Sequence, residues 1–148
     1  MEELRDTLET TAKRLGLLNK NCCSIGPFDI GSSQSIILSE IAKRNSPSMQ
    51  EIADTLATDI TTFSRQIQTL IKMGFVQKNQ SSQDRRVYTL SLTTEGKFAI
   101  GTIHSQMEQY LEEVFSHMNE FERETVKRSL QVLNAAMAKS SVCCKPLF

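Results

Sequence analysis

Between Ser48 and Leu92 the sequence sharply limits what the chain can fold into: two short helices separated by almost nothing, a glycine stop, then a switch of period. Ser48 reads as a helix N-cap, and Glu51 three residues later completes a capping box. Met49, Ile52, Ala53 and Leu56 supply the apolar stripe of that short helix. Ala57-Thr58-Asp59 is a tight connection in which Thr58 or Asp59 caps the next helix, Ile60 to Met73. This second helix is expected to bury Phe63, Ile67, Leu70 and Ile71 and to stop at Gly74, which suits the left-handed position past a helix end. Apolar residues then alternate instead of recurring every three or four. Phe75 to Lys78 and Arg86 to Leu92 read as two strands, joined by a polar hairpin tip from Asn79 to Arg85. Two helices, a three-residue turn and a charged hairpin form the winged helix-turn-helix plan.

The flanking segments are helical. Leu4, Leu8, Ala12 and Leu15 share one face between Glu2 and Leu18, and a polar, turn-rich stretch from Asn19 to Gly31 follows. Ser32 to Arg44 forms another helix with Ile36, Ile37, Leu38 and Ile41 facing inward, broken by Asn45-Ser46-Pro47. Thr93 or Thr94 starts a long helix bearing Ile103, Met107, Tyr110, Leu111, Val114 and Met118. Asn119, with Glu122 three positions on, starts a last one with Val126, Leu130, Leu133 and Met137. The expected class is mainly α with a small β-hairpin wing (α+β). Residues 32–96 form the winged helix-turn-helix, and residues 1–31 and 97–148 flank it with helices whose apolar stripes one small winged domain cannot bury alone.

Net charge is zero, from 17 basic and 17 acidic residues, so placement matters more than total. From Ile60 to Leu92 there are five basic residues (Arg65, Lys72, Lys78, Arg85, Arg86) and one acidic residue, Asp84. From Thr93 to Glu124 seven glutamates face Lys97 and Arg123 alone. The basic stretch coincides with the elements that a winged helix lays on a duplex. On the Ile60–Met73 helix, the face opposite the buried stripe carries Thr61, Thr62, Ser64, Arg65, Gln68 and Thr69. These are hydrogen-bonding and mostly uncharged side chains, suited to base edges in the major groove, where arginine can also grip guanine. Arg85 or Arg86 on the hairpin can enter the narrow, electronegative minor groove, with Asp84 beside them. Such residues also make an ordinary solvated face; their order and spacing together favour the DNA reading. The alternative is a winged-helix protein–protein adaptor that does not bind DNA.

Residues Ser48 to Lys97 (SMQEIADTLATDITTFSRQIQTLIKMGFVQKNQSSQDRRVYTLSLTTEGK) resemble the MarR family of bacterial regulators. The resemblance rests on the helix-turn-helix cadence, on Gly74-Phe75-Val76, and on Asp84, Arg86, Leu92, Thr93 and Gly96 at the family's intervals. It is weaker from Gln34 to Leu38 and along the helix after Gly96, and it departs from the family pattern at Gln66, where an apolar residue is usual. It implies a homodimer in which the helices of residues 1–31 and 97–148 interlock for dimerisation, with two winged domains reading a palindromic operator at recognition-helix spacings of about 34 Å. It implies that Arg86 is the wing arginine and Asp84 its ion-pair partner. It also implies a regulator, repressor before activator, that releases DNA on sensing a small molecule, an oxidant or a metal.

Two adjacent cysteine pairs, Cys22-Cys23 and Cys143-Cys144, are the one compositional hint of an inducer. Thiolates are soft ligands for a thiophilic metal or metalloid and are targets for oxidants. His104 is a further candidate ligand; His117 lies thirteen residues on, too far to share a site through local helical spacing. Reduced, incidental cysteines are the plain alternative in a cytoplasmic protein. Cytoplasm is the compartment expected, since the charged, amphipathic N-terminus is unlike a signal peptide and no apolar run suffices to span a bilayer. No Gly-rich phosphate loop, HExxH, GxSxG or CxxC pattern occurs, no cofactor is required by the reading, and an enzyme is not expected.

Overall fold

The structure is a computed structural model that describes residues 1–16 and 23–140. In chain order the elements are α1 (Glu2–Arg14), β1 (Cys23–Ile25), β2 (Phe28–Ile30), α2 (Ser32–Lys43), α3 (Met49–Thr55), α4 (Ile60–Lys72), β3 (Val76–Gln80), β4 (Tyr88–Leu92), α5 (Thr94–Ser116) and α6 (Glu120–Met137). They divide into two compact units, Met1–Ile103 and His104–Phe148.

The first unit holds the core. Ile37, Leu38 and Ile41 of α2, Ile52 and Ala53 of α3, and Phe63, Ile67 and Leu70 of α4 close on Phe75, Val76 and Leu90 of the hairpin. Ala99, Ile100 and Ile103 of α5 complete it. Seven of the larger side chains among these (Ile37, Leu38, Ile52, Phe63, Ile67, Leu70 and Leu90) are fully buried, and each such side chain stabilises the fold by roughly 1.5–3 kcal/mol. Ile36 and Ile71, expected inside, are 47% and 37% exposed. Each is the next residue to a fully inward one on its helix, and a stripe of three or four residues per two turns leaves no room for a fifth.

Within the stretch read as turn-rich from Asn19 to Gly31, the described residues 23–31 are more ordered than that reading implies. Residues 23–30 form an antiparallel hairpin in which Cys23 pairs with Ile30 and Ile25 with Phe28. Ile25 and Ile30 join the core, and the Phe28 ring meets Phe75 edge-on at 5.4 Å between centroids. Strands of three residues carry too little periodicity to show in the sequence.

The larger hairpin pairs Val76 with Leu92 through to Gln80 with Tyr88. It starts one residue later than the alternation suggests, because the Phe75 N–H is committed to the Leu70 carbonyl at the end of α4. Gly74, at φ +80°, and its bond to the Ile71 carbonyl complete a Schellman cap there. The second strand likewise starts at Tyr88 rather than Arg86, since the Arg86 and Val87 amides turn back to Asp84. A Ser48–Thr89 bridge and a 2.8 Å bond from the Leu90 N–H to the Pro47 carbonyl tie β4 to the start of α3.

The second unit comprises the remainder of α5 and α6. Asn119 and Glu122 form the capping box expected of α6, with both bonds at 2.9 Å. None of α6 is buried, nor is any of α1. Among the described residues no helix is long and apolar enough to cross a membrane.

Candidate nucleic-acid interface

The site is built on α3, α4 and the β3–β4 hairpin, all within the first unit. Ser48 accepts from the Glu51 amide at 3.1 Å while the Glu51 carboxylate accepts from the Ser48 amide at 2.6 Å. The Ser48 backbone N–H, then its hydroxyl, favour the ionised Glu51 and hold its carboxyl below the ordinary value. The α3–α4 turn pivots on Ala57 at φ +50°, and the Thr58 N–H returns to the Ala53 carbonyl at 3.0 Å. Of the two candidate caps for α4, Asp59 is the one used: its carboxylate accepts from the Thr62 amide at 2.9 Å. The Thr62 side chain and backbone N–H together keep Asp59 ionised to lower pH than usual.

These caps fix where α4 starts and therefore which side chains reach outward. Thr61, Thr62, Arg65, Gln68 and Thr69 are exposed, and Ser64 is half-buried. The Thr69 hydroxyl donates to the Arg65 carbonyl at 3.1 Å, so it can only accept from another partner. Gln66 is half-buried, consistent with a position where an apolar residue is usual. Ile60 opens the helix 44% exposed; sequence reading gave it no role, yet an apolar side chain at the first helical position can meet a thymine methyl.

The hairpin tip is organised by Asp84 and Ser81. The Asp84 carboxylate accepts from the Arg86 backbone N–H at 2.9 Å, Ser81 Oγ accepts from the Gln83 amide at 3.2 Å, and the Gln80 amide donates to the Arg85 carbonyl at 2.6 Å. The ion pair expected between Asp84 and Arg86 does not form. Asp84 stiffens the turn through the backbone, which leaves the Arg85 and Arg86 guanidinium groups exposed and without an ion-pair partner among the described residues. Sequence reading also missed a cross-strand pair at the wing: Lys78 Nζ lies 4.2 Å from the centroid of the exposed Tyr88 ring, a cation–π contact that holds a positive charge on the strand. The signal was available, since Lys78 and Tyr88 flank the tip two residues apart in register.

The hairpin is locked to the end of α4 by Thr93. Its hydroxyl donates to the Gly74 carbonyl at 2.6 Å and accepts from the Gly96 N–H at 2.9 Å, while its own N–H donates to the Phe75 carbonyl at 3.0 Å. One residue thus joins the end of α4, the base of β4 and the start of α5. The whole assembly presents an array of neutral donors and acceptors with Arg65 among them, and a cationic tip beside it.

The sensor candidates are placed differently. Cys22, Cys143 and Cys144 lie outside the described residues, Cys23 opens β1, and His104 is exposed on α5. Among the described residues no three His, Cys, Asp or Glu side chains gather as a metal site would require.

Residues 30–88 match the MarR family. A relative in Escherichia coli, the HTH-type transcriptional regulator PrsX, is 30% identical over 102 residues, which span 68% of this chain and 61% of that protein's length. A MarR transcriptional regulator from Methanosarcina mazei superposes with a TM-score of 0.77 at 26% identity, covering 93% of this chain and 98% of that one. Streptococcus pneumoniae FabT, solved in complex with DNA, shares the fold with a TM-score of 0.81 at 19% identity over 93% of this chain and 96% of its own.

Proposed function

We propose, from the match of residues 30–88 to the MarR family, that the chain is a transcriptional regulator that binds double-stranded DNA through α4 and the β3–β4 wing. The observation that carries this reading is the pairing of a capped helix bearing free hydrogen-bonding side chains with an unneutralised arginine tip. Thr61, Thr62, Ser64, Arg65 and Gln68 read base edges in the major groove, and Ile60 adds an apolar contact at the helix start. Arg85 and Arg86 enter the minor groove, while Lys78 meets phosphate. The DNA complex of FabT, a protein of the same fold, supports a duplex as the partner.

The site is one half of a symmetric reader in this proposal. A homodimer in the cytoplasm places two copies on a palindromic operator and acts as a repressor, and a small molecule, oxidant or thiophilic metal triggers release. The apolar residues left exposed on α1, α5 and α6 support the dimer, and the Cys22-Cys23 pair supports a thiol-directed inducer.

The test is duplex binding at several salt concentrations by the full chain and by Arg65→Ala and Arg86→Ala. A DNA binder loses affinity steeply with rising salt by counterion release, and each substitution is expected to weaken binding by about 1–3 kcal/mol. A winged-helix adaptor shows neither response. Unchanged affinity in a folded double variant overturns the assignment.

A further inference from the structure

Ile60 stands 44% exposed at the first position of α4, between the Asp59 cap and the exposed Thr61 and Thr62. A single apolar residue on a surface is ordinary. This one opens the helix whose outward side chains form the candidate interface, and it takes no part in the core cluster. The helix start does not call for it either. The position that staples a helix entry is the one before the cap, here Thr58, with Phe63 as its counterpart four residues into the helix.

The backbone beneath Ile60 is fixed. The Thr62 N–H donates to the Asp59 carboxylate at 2.9 Å and the Phe63 N–H to the Asp59 carbonyl at 2.9 Å. A β-branched side chain in a helix has one strongly preferred χ1 rotamer, so Ile60 offers its methyl groups in one place at little entropic cost. No carboxylate lies on α4, and that of Asp59 is turned to the amide end of the helix, where the dipole offsets its charge. The first turn of a recognition helix is the part that reaches base edges. Among those edges in the major groove the apolar group is the C5-methyl of thymine. Cytosine carries only a hydrogen at C5, and 5-methylcytosine carries the same methyl at the same ring position.

We propose that Ile60 reads the C5-methyl group of a pyrimidine, so that the chain discriminates thymine from uracil, and 5-methylcytosine from cytosine, at one position in each half-site. A duplex with cytosine there is bound more tightly when that base is methylated at C5, which makes DNA methylation a regulator of binding. The inference rests on the DNA-binding reading above and names what one residue of that site recognises.

The test uses the full chain and a duplex that it selects from an unmethylated random library, each thymine then being replaced in turn by deoxyuridine, which removes only the methyl. One thymine in each half-site is expected to show about fourfold weaker binding, the factor for losing one buried methyl-sized group. With cytosine at that position, 5-methylcytosine should bind tighter than cytosine by about the same factor. Ile60→Ala should erase both ratios and Ile60→Val should keep most of each, while Arg65→Ala should weaken thymine and uracil duplexes alike. Melting curves of the variants check that each is folded. Salt-dependent duplex binding in which uracil equals thymine at every position, or in which Ile60→Ala leaves the ratio intact, overturns the methyl contact while the DNA-binding reading stands. Absence of any duplex binding overturns both.

Discussion

A methyl group added at Gly96 would overlap the Phe75 carbonyl oxygen, the atom that also accepts from the Thr93 N–H. Backbone is the obstacle, not a flexible side chain, so α5 must shift away from the end of α4. Gly96→Ala is therefore expected to lower stability by about 2–3 kcal/mol, the range for overpacking that the surroundings cannot relieve. Denaturant unfolding would measure it, and a loss under half a kilocalorie would show that the Gly74–Thr93–Gly96 junction yields. The helix caps make a second prediction at this scale. Asp59 and Glu51 are both depressed below their ordinary values by hydrogen bonds made in the folded state. A depressed carboxyl contributes stability that is present above its unfolded value and is lost as pH falls through its folded value. The melting temperature should thus fall as the solution is acidified through and below the ordinary carboxylate range. Asp59→Asn keeps an N-cap acceptor without a titrating group, so it should be close to neutral at pH 7 and shallower in acid. A melting profile as steep as the unmodified chain's would remove Asp59 from that account.

At the scale of elements, the wing is where sequence and structure diverge most usefully. The caps at Ser48, Asp59 and Asn119 were legible because a cap is a local contract between residues three apart. So was Gly74, because only a residue tolerant of positive φ ends a helix that way. The small hairpin at residues 23–30 was not legible, since its strands are too short to alternate and its two core isoleucines sit among polar neighbours. The Asp84 contact was half legible. The residue was right, yet its partner is the Arg86 amide and not the guanidinium, a distinction that sequence spacing cannot draw. That distinction is testable. Asp84→Asn retains an oxygen acceptor for the amide, whereas Asp84→Ala does not. Amide hydrogen exchange at Arg86 should therefore be little changed in the first and markedly faster in the second, and duplex affinity should follow the same order. Equal loss in both variants would favour a charge role for Asp84.

At the scale of the whole molecule, charge is uneven along the chain: Ile60 to Leu92 carries five basic residues against Asp84, the second half of α5 carries Glu108, Glu112 and Glu113 with no lysine or arginine, and α6 balances Glu120, Glu122 and Glu124 with Arg123, Lys127 and Arg128. On α6, Leu130, Val132, Leu133 and Met137 are 39–64% exposed, and on α1 Leu4 and Leu8 are 51% and 44% exposed. A soluble chain rarely leaves such helical stripes uncovered, because contiguous apolar patches above a few hundred Å² mark interaction sites. The stripes recur every three or four residues, the spacing of a helix-packing seam, which is what a second copy would cover in the dimer proposed above. Leu133→Asp puts a charge into that seam, and an unpaired buried charge costs several kilocalories per mole. Light scattering should then report a species near 16.7 kDa in place of twice that mass. The duplex measurements discriminate further. A monomer keeps its α4 and wing contacts to a single half-site with roughly half the salt slope, because the slope follows the number of phosphates neutralised. It loses the gain that two linked half-sites give on a palindrome. A Leu133→Asp protein that remains at the doubled mass would place the subunit contact elsewhere, with the α1 leucines as the next positions to change.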